Sequence, residues 1–433
     1  MKISILSVFP KLYEEFLNTS LIARAQEKNI ISFDLQDYFS FVQPKKRIDA
    51  PTFGPGSGML IKPEVVQRAI ESQTKKSGKP FTIFFSPQGK KLTQPLLRSL
   101  SHTLASKEHL LLTTARYEGM DARVEEKYAD LVLSIGDYVL MGGDLPAMVF
   151  LEGLLRLFPG VVGKEESVAA ESFSGPFLDY PEYTEPANWQ GMQVPDIIRS
   201  GNHKAIAQWR EQQAAKNTVI HNFDWLRTHV RTDAQKELAA SYIPPHYMCL
   251  MHTEVYVGDN QPGNTSVTSL DMHDIARSCR TYDIQNYFLV TPLKDQQKIV
   301  STLLGFWQKG AGIEYNKSRH EAVKRVKTVE SFSDVIAAIE EKEGKKPIIL
   351  GTSARITDQE RLLSFFQQQK VFKQERPILI VLGTGKGLTD EFLQKCDYVL
   401  APIEGFSDYN HLSVRSAGAV ILDRWLGINL KND

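Results

Sequence analysis

Cysteine is scarce: three residues among 433, Cys249, Cys279 and Cys396, odd in number and far apart. That excludes a disulfide framework, and with no Cys/His group at zinc spacing no metal site is expected. The usage is that of a reducing cytoplasm. Net charge is lacking too. Lys plus Arg and Asp plus Glu each number 51, so no bulk field draws a polyanion, and nucleic-acid binding must rest on local basic patches. Long apolar runs are missing. The most apolar stretch, Leu131 to Gly163, is interrupted by Asp137, Asp144, Glu152 and Arg156, so it cannot cross a bilayer cheaply and no membrane partner is expected. Met1 to Pro10 has no basic segment followed by an apolar one, as a signal peptide would. Walker and dinucleotide glycine spacings are absent, which disfavours phosphate cradling and weakens a nucleotide-dependent α/β enzyme.

What the chain does have is length and alternation. It is too long for one ordinary core, and 42% hydrophobic with 24% charged residues is a globular balance. Strand-like runs at Lys2–Val8, Ile30–Leu35, Phe81–Phe85, His109–Thr113 and Asp130–Ile135 alternate with helical patterns such as Leu12–Lys28 and Thr93–Ser106. This predicts a parallel sheet covered on both faces. From Glu165 to Pro195 the periodicity gives way to Pro, Tyr, Glu and Ser, a linker. Asp196 to Tyr242 reads as helical, carries Lys204, Arg210, Lys216, Arg227 and Arg231, and is stopped by Pro244 and Pro245. A second alternation follows, with strands at Cys249–Val257, Tyr287–Val290, Pro347–Leu350, Ile378–Leu382 and Tyr398–Pro402 and a closing helix Ser413–Leu426. The expected organisation is an α/β domain over 1–164, a linker over 165–195, a small helical domain over 196–243, and a second α/β domain over 247–430.

Four loops follow strand ends, where parallel sheets place ligands. They are Phe53-Gly54-Pro55-Gly56-Ser57-Gly58-Met59, Ser86-Pro87-Gln88-Gly89, Ala115-Arg116-Tyr117-Glu118-Gly119, and Ser134-Ile135-Gly136-Asp137-Tyr138-Val139-Leu140-Met141-Gly142-Gly143-Asp144-Leu145-Pro146. Any one of them alone is as readily an ordinary glycine turn. In order, and with Arg156-Leu157-Phe158-Pro159-Gly160, Leu178-Asp179-Tyr180-Pro181, Gly191-Met192-Gln193-Val194-Pro195 and Ser200-Gly201-Asn202-His203, residues 1–243 resemble the TrmD-type tRNA (guanine-N1)-methyltransferases of the SPOUT class. The resemblance implies a deep trefoil knot, a rare exception to unthreaded chains, and a homodimer with sites shared between chains. It implies a bent S-adenosyl-L-methionine held by Phe85, Ser86, Pro87, Gly89, Ala115, Tyr117, Glu118, Ser134, Ile135, Gly136, Tyr138, Leu140, Gly142, Gly143 and Pro146. It also implies tRNA as substrate and magnesium as a candidate requirement.

Guanine N1 is a poor nucleophile until its proton leaves. A carboxylate can take that proton while a cation near O6 stabilises the developing charge. Glu171 is the candidate acid and Arg156 the candidate cation; the alternatives are a solvated linker carboxylate and an arginine snorkelling from an apolar helix. The family ordinarily has Asp where this chain has Glu171, and the extra methylene shifts the carboxylate by ~1 Å. Ala115, Pro55, Ser57 and Met141 also depart from the pattern. Asp179 is placed near the substrate base by the resemblance, and Asn202 and His203 fall on the segment that grips tRNA; capping and turn roles are the alternatives. For Arg210, Lys216, Arg227 and Arg231, phosphate contact and a solvated helix face are both open. A base in an anticodon arm must be flipped out to be reached.

The second half resembles the SpoU-like branch of the same class more distantly. Asp274-Ile275-Ala276-Arg277-Ser278-Cys279-Arg280, Leu382-Gly383-Thr384-Gly385-Lys386-Gly387-Leu388 and Asn410-His411-Leu412-Ser413-Val414-Arg415-Ser416 correspond to its three motifs. Leu382, Gly383, Gly387, Pro402, Ile403 and Ser413 would hold a second S-adenosylmethionine, with Arg277 at the substrate. The middle motif is one residue short and has Thr384 and Gly385 in place of the usual glutamate. Two readings remain: a second RNA methyltransferase, ribose 2′-O by analogy, or a non-catalytic tRNA-binding or dimerisation module. The basic run Lys317, Arg319, Lys324, Arg325 and Lys327 touches RNA or is solvated.

Overall fold

Strands buried on both faces are near-continuous apolar runs; such runs form the centre of the first sheet, and less buried strands its two edges. In the computed structural model, which describes residues 1–55, 58–162, 171–309, 312–355 and 359–429, these are β1 (Lys2–Ser7), β2 (Ser32–Asp37), β3 (Phe81–Lys91), β4 (His109–Thr113) and β5 (Leu131–Ser134). All are parallel, in the order β2-β1-β4-β3-β5. Successive side chains face opposite sides. Ile3, Ile5, Leu110 and Leu112 enter one core, and Leu6 and Leu111 enter the other. Helices α1 (Pro63–Ser77), α2 (Gln94–Ala105) and α3 (Asp144–Leu155) supply the covering. In α3 Ala147, Phe150, Leu151 and Leu154 are buried at helical spacing.

The helix expected over Leu12–Lys28 is broken into a 3-10 turn, Pro10–Tyr13, and helices Glu14–Leu17 and Ser20–Glu27. At the break the Thr19 hydroxyl donates to Glu15 O (2.5 Å), a side-chain bond that competes with the backbone ladder. Strand β3 runs past its expected end at Phe85. Phe85 and Lys90 both pair with Leu133, so Ser86 to Gly89 are extruded as a bulge. Gly56 and Ser57 of the first glycine loop, and residues 163–170 with Ser167 to Ala170, lie outside the described residues.

The chain divides into two compact units, Met1–Ser174 and Gly175–Asn432. The second begins with a stretch whose regular structure is a short hairpin, Asn188–Trp189 against Met192–Gln193, and a short helix, Asp196–Arg199. Then come α4 (His203–His221), α5 (Phe223–His229) and α6 (Asp233–Ala240). Its sheet comprises β6 (His246–Met251), β7 (Tyr287–Val290), β8 (Val326–Val329), β9 (Ile348–Thr352), β10 (Leu362–Leu363), β11 (Ile378–Gly383) and β12 (Tyr398–Leu400), parallel in the order β8-β7-β6-β11-β9-β12-β10. Helix α7 (Ser269–Thr281) packs on α8 (Val414–Leu426), which closes the fold. Both units are thus α/β with parallel sheets. Among the described residues no helix is long and apolar enough to cross a membrane.

The helical stretch shares its core with this second sheet. Val219, Phe223, Leu226 and Val230 join one buried cluster with Met248, Ile275 and Trp425. Arg227, read from sequence as a phosphate contact or a solvated group, is neither. It is 4% exposed, and its guanidinium donates to the carbonyls of Asp423 (3.0 Å), Arg424 (2.6 Å) and Gly427 (2.7 Å) at the C-terminus of α8. Asp423 O also accepts from Gly427 N (2.8 Å), so the guanidinium adds to the cap at this helix end, where a cation is favoured by the dipole. Lys216 pairs with Glu375 (2.9 Å), and Arg210 lies over the Tyr180 ring. In the other basic run, Arg325 holds Asp283 and Ile284 O, Arg319 covers Trp307, and Lys324 pairs with Glu321.

Candidate functional site

In the Met1–Ser174 unit the glycine loops close on one another through main chain. Gly143 N donates to Ala115 O (2.8 Å), Arg116 and Gly142 form a bridge, and Glu118 N donates to Met59 O (3.1 Å). Side chains would not fit there. A Cβ on Gly142 would stand 2.8 Å from Ala115 O, and one on Gly89 2.6 Å from the Leu133 carbonyl carbon. Gly136 is covered by the Tyr138 ring, 2.3 Å from where its Cβ would be. Glycine is used here for close backbone approach. Tyr117 sits at φ 61°, a left-handed conformation that costs about 1–2 kcal/mol for a bulky residue. Strain of that kind collects at functional sites.

These loops carry the expected cofactor residues. Phe85 to Gly89 form the bulge, Ala115 to Glu118 the turn after β4, and Ser134 to Gly143 the loop into α3, with Pro146 in its first turn. Tyr117, Tyr138 and Leu140 are exposed around the loops while Ser134, Gly136, Gly143 and Pro146 are buried. Met141, a departure from the family pattern, is 87% exposed, so its bulk displaces nothing within the chain. Backbone N–H and C=O groups beside aromatic rings are the chemistry that a molecule with a purine, a ribose and an amino-acid tail would need.

Arg156 follows α3 as its C-cap, and its guanidinium donates through Nη2 to Glu171 Oε1. Both side chains are about one-third exposed. The Glu171 contact, above all, raises the Arg156 pKa, so its charge is permanent. The structure therefore brings the two candidate catalytic side chains together across 15 residues of chain. Sequence reasoning passed over Asp144 and Arg116. Both fall within the quoted glycine loops without a role assigned to them, yet the Asp144 carboxylate is fully buried and bound by Arg116 Nε (2.8 Å). The available signal was an acid directly after Gly142-Gly143 at a helix start.

In the Gly175–Asn432 unit the second and third motifs line a cavity of about 960 Å³, and no residue of the first motif, Asp274 to Arg280, does. Leu382, Gly383, Gly387, Ile403 and Ser413 all line it; Pro402 and Arg277 do not. Gly383 has main chain where a side chain would go: its Cβ would meet Leu388 N at 2.5 Å. Ser413 caps α8, accepting from Ser416 N. Leu400, Val414, Ala417 and Ile421 give an apolar side, and Thr265, Thr268 and Thr352 a hydroxyl side, which again suits an adenosyl group. Arg277 is exposed on α7, whereas Arg415 approaches Asp271 (3.6 Å) and Asp274 (3.8 Å).

Behind that lining lies a hydrogen-bond chain that sequence reasoning missed. The Thr384 hydroxyl donates to Met251 O (2.8 Å), so its oxygen accepts from Thr265 (2.5 Å), and Thr265 accepts from His252 Nδ1 (3.0 Å). His252 is thereby the Nδ1–H tautomer, and burial pushes its pKa down to about 4. It positions Thr265 and cannot take a proton through it. Asp179, Asn202 and His203 belong to this unit. Asn202 caps α4, accepting from Ala205 N (3.2 Å), His203 is its exposed first residue, and Asp179 is exposed. Among the described residues no three His, Cys, Asp or Glu side chains gather to hold a metal.

Comparisons with known proteins match both parts of the chain. A family model described as tRNA (guanine-1)-methyltransferase TrmD matches residues 1–228, and one described as SAM-dependent RNA methyltransferase matches residues 245–427. A tRNA (guanine-N(1)-)-methyltransferase of Nitratidesulfovibrio vulgaris is 36% identical over 433 residues, 99% of each chain. One of Oleidesulfovibrio alaskensis is 34% identical over 442 residues, again 99% of each. One of Carboxydothermus hydrogenoformans is 42% identical over 239 residues, 55% of this chain and 92% of its own.

Proposed function

The chain belongs to the TrmD family of S-adenosylmethionine-dependent tRNA (guanine-1)-methyltransferases, and from that premise we propose that its first site methylates N1 of the guanine 3′-adjacent to the anticodon. The observation that carries this is the Arg156–Glu171 contact. Guanine's Watson–Crick edge offers an acceptor, O6, beside a donor, N1–H. A guanidinium touching a carboxylate presents the matching donor and acceptor side by side. Glu171 takes the N1 proton while Arg156 donates to O6 and stabilises its charge. S-adenosylmethionine supplies an electrophilic methyl on sulfonium. The backbone slot from Phe85 to Pro146 orients it, and exclusion of water by Tyr117, Tyr138 and Leu140 belongs to the same reading.

The family's trefoil knot, its homodimer with shared sites, and grip on tRNA through the segment with Asp179, Asn202 and His203 belong to the proposal. So does a cytoplasmic setting, which the three buried free cysteines suit. Among the described residues no three His, Cys, Asp or Glu side chains gather to hold a magnesium ion, and no step is assigned to one. Tritiated S-adenosylmethionine with tRNA transcripts, followed by nucleoside analysis, tests the reading. Wild type is expected to label N1-methylguanosine and Glu171→Ala to lose it; label that survives Glu171→Ala rules out the base.

For the second site the reading is a S-adenosylmethionine-dependent RNA methyltransferase, ribose 2′-O by analogy, supported by the cavity that two of its three motifs line. One observation favours the rival, a non-catalytic tRNA-binding module: Arg277, the motif's arginine, is exposed and outside that lining. A second labelled nucleoside lost in Arg277→Ala supports catalysis; no second product supports the rival.

A further inference from the structure

Asp144 opens α3 with a fully buried side chain. Its Oδ1 accepts from Ser7 Oγ (2.6 Å) and Tyr13 OH (3.1 Å), and Thr114 Oγ1 lies 2.8 Å away, sharing its proton with Leu6 O (2.9 Å). Oδ2 accepts from Arg116 Nε (2.8 Å). Burial, and then the Asp144 charge, push the Tyr13 hydroxyl above its ordinary range, so it stays a donor. Ser7, Tyr13, Thr114 and Arg116 thus converge on one carboxylate, with Arg116 the cation among them.

Arg116 is where this charge meets the site. Its Cδ and Nε lie across Gly142, 2.5 Å and 2.8 Å from where a Cβ would stand, and its guanidinium rests over the Phe9 ring at 5.0 Å. Its carbonyl accepts from Gly119 N (3.1 Å) and closes the turn that holds left-handed Tyr117 and Glu118. Release of Arg116 would free that strained turn from the Gly142-Gly143 segment.

We propose that Asp144 is a positioning residue for methyl transfer: through Arg116 it locks the Tyr117-Glu118 turn against Gly142-Gly143, so that the cofactor slot is formed before the cofactor arrives. The inference rests on the reading of that slot as a S-adenosylmethionine site. Preorganisation of this kind acts on affinity. Loss of the lock therefore raises the concentration of cofactor needed and leaves the chemistry of the bound complex nearly intact.

The test is steady-state formation of N1-methylguanosine by the full chain, with KM for S-adenosylmethionine and kcat measured separately. Asp144→Asn keeps the shape, its amide facing hydroxyls that can turn to accept, and removes the charge that holds Arg116. It is expected to raise KM roughly tenfold or more, with kcat within about threefold. Arg116→Lys leaves the carboxylate a cation but removes the Nε that lies across Gly142 and donates to Asp144, so it undoes the lock and is expected to reproduce the KM change; the double variant should be no worse than either single one. A lowered melting temperature with unchanged KM in Asp144→Asn would make the residue merely structural and overturn the proposal. If that variant does not fold, Arg116→Lys with wild-type KM overturns it alone. Wild type that makes no N1-methylguanosine would instead sink the reading of the slot itself.

Discussion

In the Met1–Ser174 unit an acid and a guanidinium touch, and glycine loops nearby pack main chain on main chain. In the Gly175–Asn432 unit a cavity is lined by the second and third motifs, and the first motif, with its exposed arginine, stands outside the lining. Glycine turns and helix caps can build a cofactor cleft from short stretches of chain. A reaction needs particular side chains brought to one point. Here the first unit has the pair its chemistry asks for, and the second has the cleft with its substrate side undefined.

The largest expected effect breaks the comparison at the first unit. Glu171→Ala should lower N1-methylguanosine formation by about 100- to 10,000-fold, the range for a lost general base, and leave any second product untouched. Loss of both products would mean that the sites are not independent. Next, Gly383→Ala places a Cβ against main chain that cannot yield. It should weaken cofactor uptake by the second site by about tenfold or more, the size of 1–3 kcal/mol of overpacking, with the first activity unchanged. Arg227→Met removes three hydrogen bonds from a buried guanidinium and strands helix-end carbonyls. A loss of about 2–4 kcal/mol in the second unit is expected. All five tryptophans, Trp189, Trp209, Trp225, Trp307 and Trp425, lie in that unit, so denaturation followed by their fluorescence reads it alone.

The remaining effect concerns acid. Burial lowers His246 and His252 from 6.5 to about 4. His246 Nε2 accepts from Trp425 Nε1 (2.9 Å) while Nδ1 donates to Pro244 O (2.6 Å), a neutral tautomer. Between these values the unfolded imidazole binds a proton that the folded one refuses, so stability is complete above about pH 6.5 and falls toward pH 4. Each histidine accounts for up to roughly 3 kcal/mol by pH 4. Tryptophan-monitored denaturation at pH 7 and pH 4.5 should show the loss, and His246→Gln should remove part of it; an equal midpoint at both pH values contradicts the assignment.

Strands buried on both faces were legible to the residue, as at His109–Thr113 and Tyr287–Val290, because a short apolar run with polar ends has few other uses. The break at Thr19 and the bulge at Ser86–Gly89 were not, since each depends on which hydrogen bond wins locally. Arg227 could have been read better: Phe223, Leu226, Arg227 and Val230 share a helical stripe, and an arginine at a core position points to buried carbonyls. The Asp144 network could not be, because Ser7, Tyr13, Thr114 and Arg116 meet it only once three loops have folded.

The most direct measurement is a calorimetric titration of the full chain with S-adenosylmethionine, wild type against Gly383→Ala, each paired with an N1-methylguanosine assay. Two molecules bound per wild-type chain, falling to one that still supports wild-type N1-methylguanosine formation, is the predicted result. A variant that binds none, or binds one and has lost N1-methylguanosine formation, would contradict an autonomous backbone slot in the first unit.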